Sequence, residues 1–212
     1  VKMNVNLITV DEAHCISQWG YDFRPSYLNI AQLRELLPGV NYLALTATAT
    51  PKVVEDIQQK LNFKENNVLK ASFRRNNLSY LVRLRENKSG YLLDTIKKVD
   101  GSGIVYVRSR KGTREIASEL QKCNISADYY HAGLSNSTRS NKQDAWQSGK
   151  KRVMVATNAF GMGIDKPDVR FVIHIDPPDS LESYFQEAGR AGRDGKKAAA
   201  VLLFNNADKT KL

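Results

Sequence analysis

The sequence predicts an α/β protein of parallel sheets with flanking helices, and three observations predict it. Short apolar runs rich in β-branched residues recur along the chain, as strands buried on both faces require. Between them lie segments whose apolar residues fall at helical spacing. Strand and helix alternate, the order that layers helices against a sheet.

The first run, Val5 to Val10, reads as a strand, and Tyr42 to Leu45 as a second. Thr50 can cap a helix that has Pro51 at its first position and Val54, Ile57 and Leu61 on its apolar face. From about Ser72 to Ser102 the pattern breaks into the basic, Asn-rich stretch Phe73-Arg74-Arg75-Asn76-Asn77 and then a helix around Tyr91 to Val99. Strands follow at Ile104 to Val107, Val153 to Ala156, Phe171 to Ile175 and Ala198 to Phe204. Helices between them carry Ile116 and Leu120, then Leu181, Tyr184, Phe185 and Ala188, the latter capped by Asp179 or Ser180 after Pro177-Pro178.

A domain boundary is therefore expected near Phe73. Residues 1–72 read as the C-terminal part of a first domain, 73–103 as a linker with the helix that leads into the second, and 104–212 as a complete second domain. The expectation is that the chain enters its first domain halfway through.

At 212 residues and 42% hydrophobic, the chain can bury one full core and part of another, since a compact domain takes about 100 to 200 residues. No apolar run reaches the roughly 20 residues that cross a bilayer, and Val-Lys-Met-Asn lacks the basic-then-apolar pattern of a signal peptide. No membrane association is expected, and a soluble intracellular protein is. Cys15 and Cys123 have no C-x-x-C partner, so neither a disulfide framework nor a zinc site is expected. With 32 Lys and Arg against 22 Asp and Glu, the net charge of +10 favours a polyanionic partner through counterion release, a basic but idle surface being the alternative.

Asp11-Glu12-Ala13-His14 directly follows the first strand. A carboxylate at the carboxyl end of a parallel strand points into the crevice where α/β proteins bind ligands. Asp11 can hold Mg²⁺ through oxygen, and Glu12 can polarise the water that attacks a γ-phosphate; the alternative is a chance acidic turn. Gly189-Arg190-Ala191-Gly192-Arg193-Asp194-Gly195 follows a helix bearing Gln186. Its guanidinium groups suit charge that develops on a transferring phosphoryl group, the alternative being a glycine-rich basic turn. Trp19 and Phe23 are interleaved with Gly, Asp, Arg and Pro, a pattern with neither helical nor strand period, which favours a loop over core packing.

Asp11-Glu12-Ala13-His14, Ala47-Thr48-Ala49-Thr50, Ala156-Thr157 through Asp165, and Gln186 through Arg193 resemble helicase motifs II, III, V and VI of superfamily 2. Gln18-Trp19-Gly20-Tyr21-Asp22-Phe23-Arg24-Pro25 resembles the aromatic-rich loop of the RecQ family, and His131 to Leu134 and Gly161 to Pro167 are similar to that family as well. The resemblance covers almost the whole chain. It implies RecA-like domains and, for a longer parent protein, ATP-dependent 3′ to 5′ unwinding of duplex DNA in repair and recombination.

By that resemblance Asp11 serves Mg²⁺, Glu12 activates water, and His14, Thr46 and Thr48 couple nucleotide state to DNA. Arg193 is implied as an arginine finger and Arg190 as a second phosphate contact. Gly163, Asp165 and Gln186 face the nucleotide. Trp19, Phe23, Arg24, Thr46, Thr48, Arg108, Arg110 and Thr157 serve single-stranded and duplex DNA, with stacking on an aromatic ring contributing about 1 to 3 kcal/mol per base. Arg108 and Arg110 read equally as solvated surface charge. Tyr21 stands where the family commonly has His; it can stack but carries no positive charge near neutral pH.

No G-x-x-x-x-G-K-[ST] segment occurs among the 13 glycines, and in the family that phosphate-binding loop lies upstream of D-E-A-H. ATP and Mg²⁺ are thus expected of the parent, no zinc site of this segment, and little ATP hydrolysis of the 212 residues alone. The location implied is cytoplasmic and nucleoid-associated in a bacterium, nuclear in a eukaryote. A non-catalytic nucleic-acid-binding module and a D-E-A-D RNA helicase stand as alternatives.

Overall fold

The computed structural model describes residues 4–20, 22–161 and 164–208. The chain divides into two compact units, Val1–Phe73 and Arg74–Leu212.

In the first unit, strand β1 (Leu7–Val10) pairs in parallel with β2 (Asn41–Ala44), with Val10 opposite Ala44. Between them a 3-10 turn over Ala13–Ile16, a longer 3-10 stretch over Pro25–Gln32 and the short helix α1 (Leu33–Leu36) carry the chain back. Helix α2 (Pro51–Lys60) starts as the sequence requires: Pro51 takes the first turn and the Thr50 side chain accepts from the Val53 amide. Val53, Ile57 and Leu61 of this segment pack on Val10, Ala13 and Ile16, so Val53 rather than Val54 is buried. Arg34 closes the unit by donating to the Leu61 carbonyl at 2.6 Å while its guanidinium lies 4.0 Å from the Tyr42 ring centroid.

The second unit holds a six-stranded, all-parallel sheet in the order β3-β8-β7-β4-β6-β5. Its strands are β3 (Leu78–Leu84), β4 (Ser102–Tyr106), β5 (Ala127–Tyr130), β6 (Val153–Ala156), β7 (Val169–His174) and β8 (Ala198–Phe204). Its helices are α3 (Lys88–Lys98), α4 (Arg110–Lys122), α5 (Asn136–Gln147) and α6 (Leu181–Ala188). Successive strand residues point to opposite faces, and the core divides accordingly. Ile104, Tyr106, Met154, Ala156, Val172 and Ala200 join Trp146 of α5 and Ala188 of α6 on one face. Val105, Val153, Val155, Phe171, Ile173 and Val201 join Leu92 and Ile96 of α3 and Ala117 and Leu120 of α4 on the other. Both faces are thus covered, which is why these strands read as unbroken apolar runs. Gly103 in β4 is required by close approach, since a β-carbon there would sit 2.0 Å from the Phe171 ring.

Residues 73–103, expected as linker and leading helix, hold that helix as α3 and, in the stretch read as linker, the strand β3. β3 pairs along its whole length with β8, and α3 packs into the core. Two further elements, β5 and α5, were not expected from periodicity. Among the described residues no helix is long and apolar enough to cross a membrane.

Candidate nucleotide and nucleic-acid site

In the first unit, the end of β1 builds a polar turn. The Leu45 amide donates to the Val10 carbonyl, and the Ala13 amide to the Leu45 carbonyl, so the residues between them must bend sharply. Glu12 does so in the left-handed region at φ 50°, a conformation that costs a non-glycine residue roughly 1 to 3 kcal/mol. Its amide donates to Asp11 Oδ1 at 2.8 Å, and Asp11 itself is exposed. His14 is buried, and its Nδ1 lies 3.1 Å from Thr46 Oγ1 and 3.4 Å from Glu12 Oε2. Burial pushes its pKa down, against the opposing pull of the Glu12 carboxylate. The D-E-A-H turn and Thr46 are therefore in contact. The Thr48 amide lies 3.4 Å from Thr46 Oγ1.

The aromatic-rich stretch forms a loop, as its lack of period predicts. Its backbone is tied by the Arg24 amide on the Cys15 carbonyl at 2.8 Å and the Gly20 amide on the Ser17 carbonyl at 3.1 Å. Trp19 is 62% exposed, with Lys52 Nζ 3.1 Å from its ring centroid. Phe23 is half-buried, and Lys60 Nζ lies 5.9 Å from its ring centroid. Arg24 is ion-paired with Asp22 at 2.5 Å. Ser17 and Lys60 both bind Asp56, fixing the loop to α2. Cys15 is buried, which pushes its thiol up to about 11. Tyr21 lies outside the described residues.

In the second unit the candidate residues follow the carboxyl ends of β4 and β6 and the end of α6. Arg108 donates its amide to Asp176 at 3.0 Å and pairs with Asp179 at 3.3 Å. Arg110 is exposed at the start of α4, its guanidinium against Gly133, where a β-carbon would meet Nη1 at 2.9 Å. Arg193 Nη1 contacts Asp165 Oδ1 at 2.9 Å, and both side chains are open to solvent, at 39% and 77%. Gln186 is half-buried on α6. Gly163 lies outside the described residues.

Two expected contacts are placed differently. Arg190 is buried, with Nη1 donating 2.7 Å to the Gly161 carbonyl, so it braces the loop after β6 rather than presenting its charge to solvent. Thr157 is also buried, its amide on the Tyr130 carbonyl and its carbonyl accepting from Phe160.

The structure adds residues that sequence reasoning passed over. Arg75 donates to the carbonyls of Gly189, at 3.1 Å, and Gly192, while Asn77 donates to those of Gly192 and Lys196. The Asn-rich basic stretch thus clamps the turn that carries Arg193, and its density of donors is the signal that points to such a role. Replacing Arg75 with alanine leaves two carbonyls of that turn without their charged donor and should destabilise the second unit by about 1 to 3 kcal/mol, read from the urea midpoint. An unchanged midpoint would show the clamp to be dispensable. His174 and Glu187 form a buried pair at 2.7 Å that fixes α6 to β7, with the imidazole stacked on Tyr106 at 5.2 Å.

The helicase conserved C-terminal domain family matches residues 87–195. The chain is 46% identical over 97% of its length to the ATP-dependent DNA helicase RecQ of Bacillus subtilis, and covers 35% of it. It is 46% identical over 96% of its length to the RecQ-like DNA helicase blm-1 of Caenorhabditis elegans, and covers 21% of that protein. Among solved structures it matches the Mycobacterium smegmatis helicase Lhr bound to ssDNA and AMP-PNP, with a TM-score of 0.74 and 25% identity over 94% of this chain and 28% of that one. The chain thus spans about a third or less of the length of these relatives. Its parallel sheet with flanking helices is RecA-like, and with fold and likeness in agreement, the chain belongs to the helicase conserved C-terminal domain family and is similar over almost its whole length to part of RecQ-type helicases.

Proposed function

We propose that this chain is the part of an ATP-dependent DNA helicase that carries its water-activating acids and its arginine finger, and that the whole protein travels 3′ to 5′ along one DNA strand in repair and recombination. One observation carries the reading: identity of 46% runs over 97% of the chain to a protein named as an ATP-dependent DNA helicase. The polarity, pathway and location, whether nucleoid-associated in a bacterial cytoplasm or nuclear in a eukaryote, follow from the RecQ resemblance.

The residues fit the chemistry. Asp11 offers an exposed carboxylate at the end of a parallel strand and is the residue that would hold Mg²⁺, which when bound supplies charge neutralisation on the phosphates. Glu12 accepts the proton of the attacking water. Arg193, with Asp165 and Gln186, serves the nucleotide, and its planar fork matches phosphate oxygens. Trp19, exposed on its loop, offers a face to a base, while Phe23 and Arg24 complete that surface. Arg108 and Arg110 serve the DNA backbone, which takes Lys and Arg without regard to sequence. The 212 residues contain no G-x-x-x-x-G-K-[ST] segment, so ATP turnover is assigned to the longer protein.

Strand displacement by the full-length protein tests the reading. A 3′-tailed DNA duplex should be unwound with ATP, and a 5′-tailed DNA duplex and a 3′-tailed RNA duplex should not. Unwinding of the RNA alone would favour a D-E-A-D type activity, and DNA binding without ATP turnover would favour a non-catalytic module.

A further inference from the structure

His14, Cys15 and Asp22 converge behind the D-E-A-H turn. Cys15 Sγ lies 3.7 Å from His14 Nε2 and 3.7 Å from Asp22 Oδ2, and the three ligand atoms all fall within 4.8 Å of one another. A tetrahedral zinc ion with bonds of about 2.3 Å to sulfur and about 2.1 Å to nitrogen or oxygen sets its S to N and S to O edges at about 3.6 Å. Two edges of the site therefore already have the required length, and only the third must adjust.

We propose that His14, Cys15 and Asp22 form a binding site for a thiophilic divalent transition-metal ion of the zinc type. This goes beyond the helicase reading and does not depend on it. The proposal revises the expectation drawn from the absent C-x-x-C spacing, because the fold supplies the third ligand from seven residues downstream.

Three features make the site preformed. His14 turns Nδ1 toward Glu12 Oε2 and Thr46 Oγ1 and Nε2 toward Cys15 Sγ, which is the carboxylate–histidine arrangement that orients metal ligands. The loop returns Asp22 to Cys15 because Gly20 lets the backbone approach; a β-carbon there would sit 2.7 Å from the His14 carbonyl oxygen. His14 and Cys15 are each 1% exposed, whereas the Asp22 side chain is 42% exposed, so an ion enters on the Asp22 side and keeps its fourth position for water.

The charge balances. Coordination forms bonds to sulfur, nitrogen and oxygen, the Cys15 thiol proton leaves to solvent, and thiolate with carboxylate neutralises the dication. Asp22 then exchanges the Cys15 thiol and the Arg24 guanidinium for the ion. A bound ion ties the D-E-A-H turn to the aromatic-rich loop.

Titration of the 212-residue chain with Co²⁺ alone tests this, because thiolate coordination gives a charge-transfer absorption that reads the metal directly and needs no helicase activity. One equivalent should bind, and the absorption should vanish in Cys15→Ala while persisting in Cys123→Ser. Asp22→Asn and Glu12→Gln should each weaken binding by about 10- to 100-fold. No absorption in the native chain, its survival in Cys15→Ala, its loss in Cys123→Ser or an unchanged affinity in Asp22→Asn would each overturn the proposal. Circular dichroism checks folding; should Cys15→Ala unfold, Cys15→Ser, which keeps the size and a hydroxyl donor to Asp22, must likewise lose the absorption.

Discussion

Replacing Arg193 with alanine in the full-length protein should lower DNA-stimulated ATP turnover by about 10³- to 10⁵-fold, the range an arginine finger contributes to phosphoryl transfer. The affinity for single-stranded DNA should stay as it was. The expectation rests on the helicase reading and on where Arg193 sits. Its guanidinium is 39% open to solvent and is held at the rim by the more open Asp165 and by the Ile164 carbonyl at 3.5 Å. An exposed ion pair of this sort is worth about 0 to 1 kcal/mol, so releasing the arginine toward a phosphate costs little. Lysine should not restore the rate, because a single ammonium cannot reproduce the two-point fork. Arg190 supplies the contrast: it is buried and committed to the Gly161 carbonyl, so its loss should show first in stability. A loss of turnover below tenfold in Arg193→Ala would remove it from the phosphoryl-transfer step.

Trp146→Ala should destabilise the second unit by about 3 to 5 kcal/mol, measured from the urea midpoint of the chain. Trp146 is fully buried, donates its indole N–H to the Gly103 carbonyl at 3.2 Å and meets Phe160 edge-on at 5.2 Å. It is also the one residue of α5 among those described that is buried, so the helix has no second buried side chain to take up the load. Phenylalanine at this position should recover part of the loss, since it restores area but not the hydrogen bond. A cost below about 1 kcal/mol, the scale of an ordinary point change, would mean that α5 is held by its polar contacts.

The same helix shows why part of the fold was not legible in the sequence. Asn136 to Gln147 offers no apolar stripe, only the adjacent Ala145 and Trp146, so periodicity had nothing to find. β5 was passed over because Asp128 interrupts its run, and β3 because it is an edge strand with Arg83 and exposed Tyr80, Val82 and Leu84. The central strands, buried on both faces, were plain from composition, and β8 has the very bounds expected. At the candidate site, strand-end acids and the exposed loop tryptophan followed from local pattern. What local pattern lacks is the partner from afar: Arg75 beneath the Gly189–Gly195 turn, the carboxylate of Asp22 beside Cys15, and the burial that turns Arg190 and Thr157 inward.

β3 has a consequence for how the chain is made. It opens the second unit and among the described residues its partner strand is β8, so Leu78 must wait for Ala198 before it can pair. During synthesis the ribosome delivers every other strand of that sheet while β3 stands unmatched, and the sheet is closed only when the last strand emerges. Pairing at such sequence distance is slow and leaves apolar edges open to neighbours meanwhile. Loss of the final strand should therefore harm yield in the cell more than its few residues suggest.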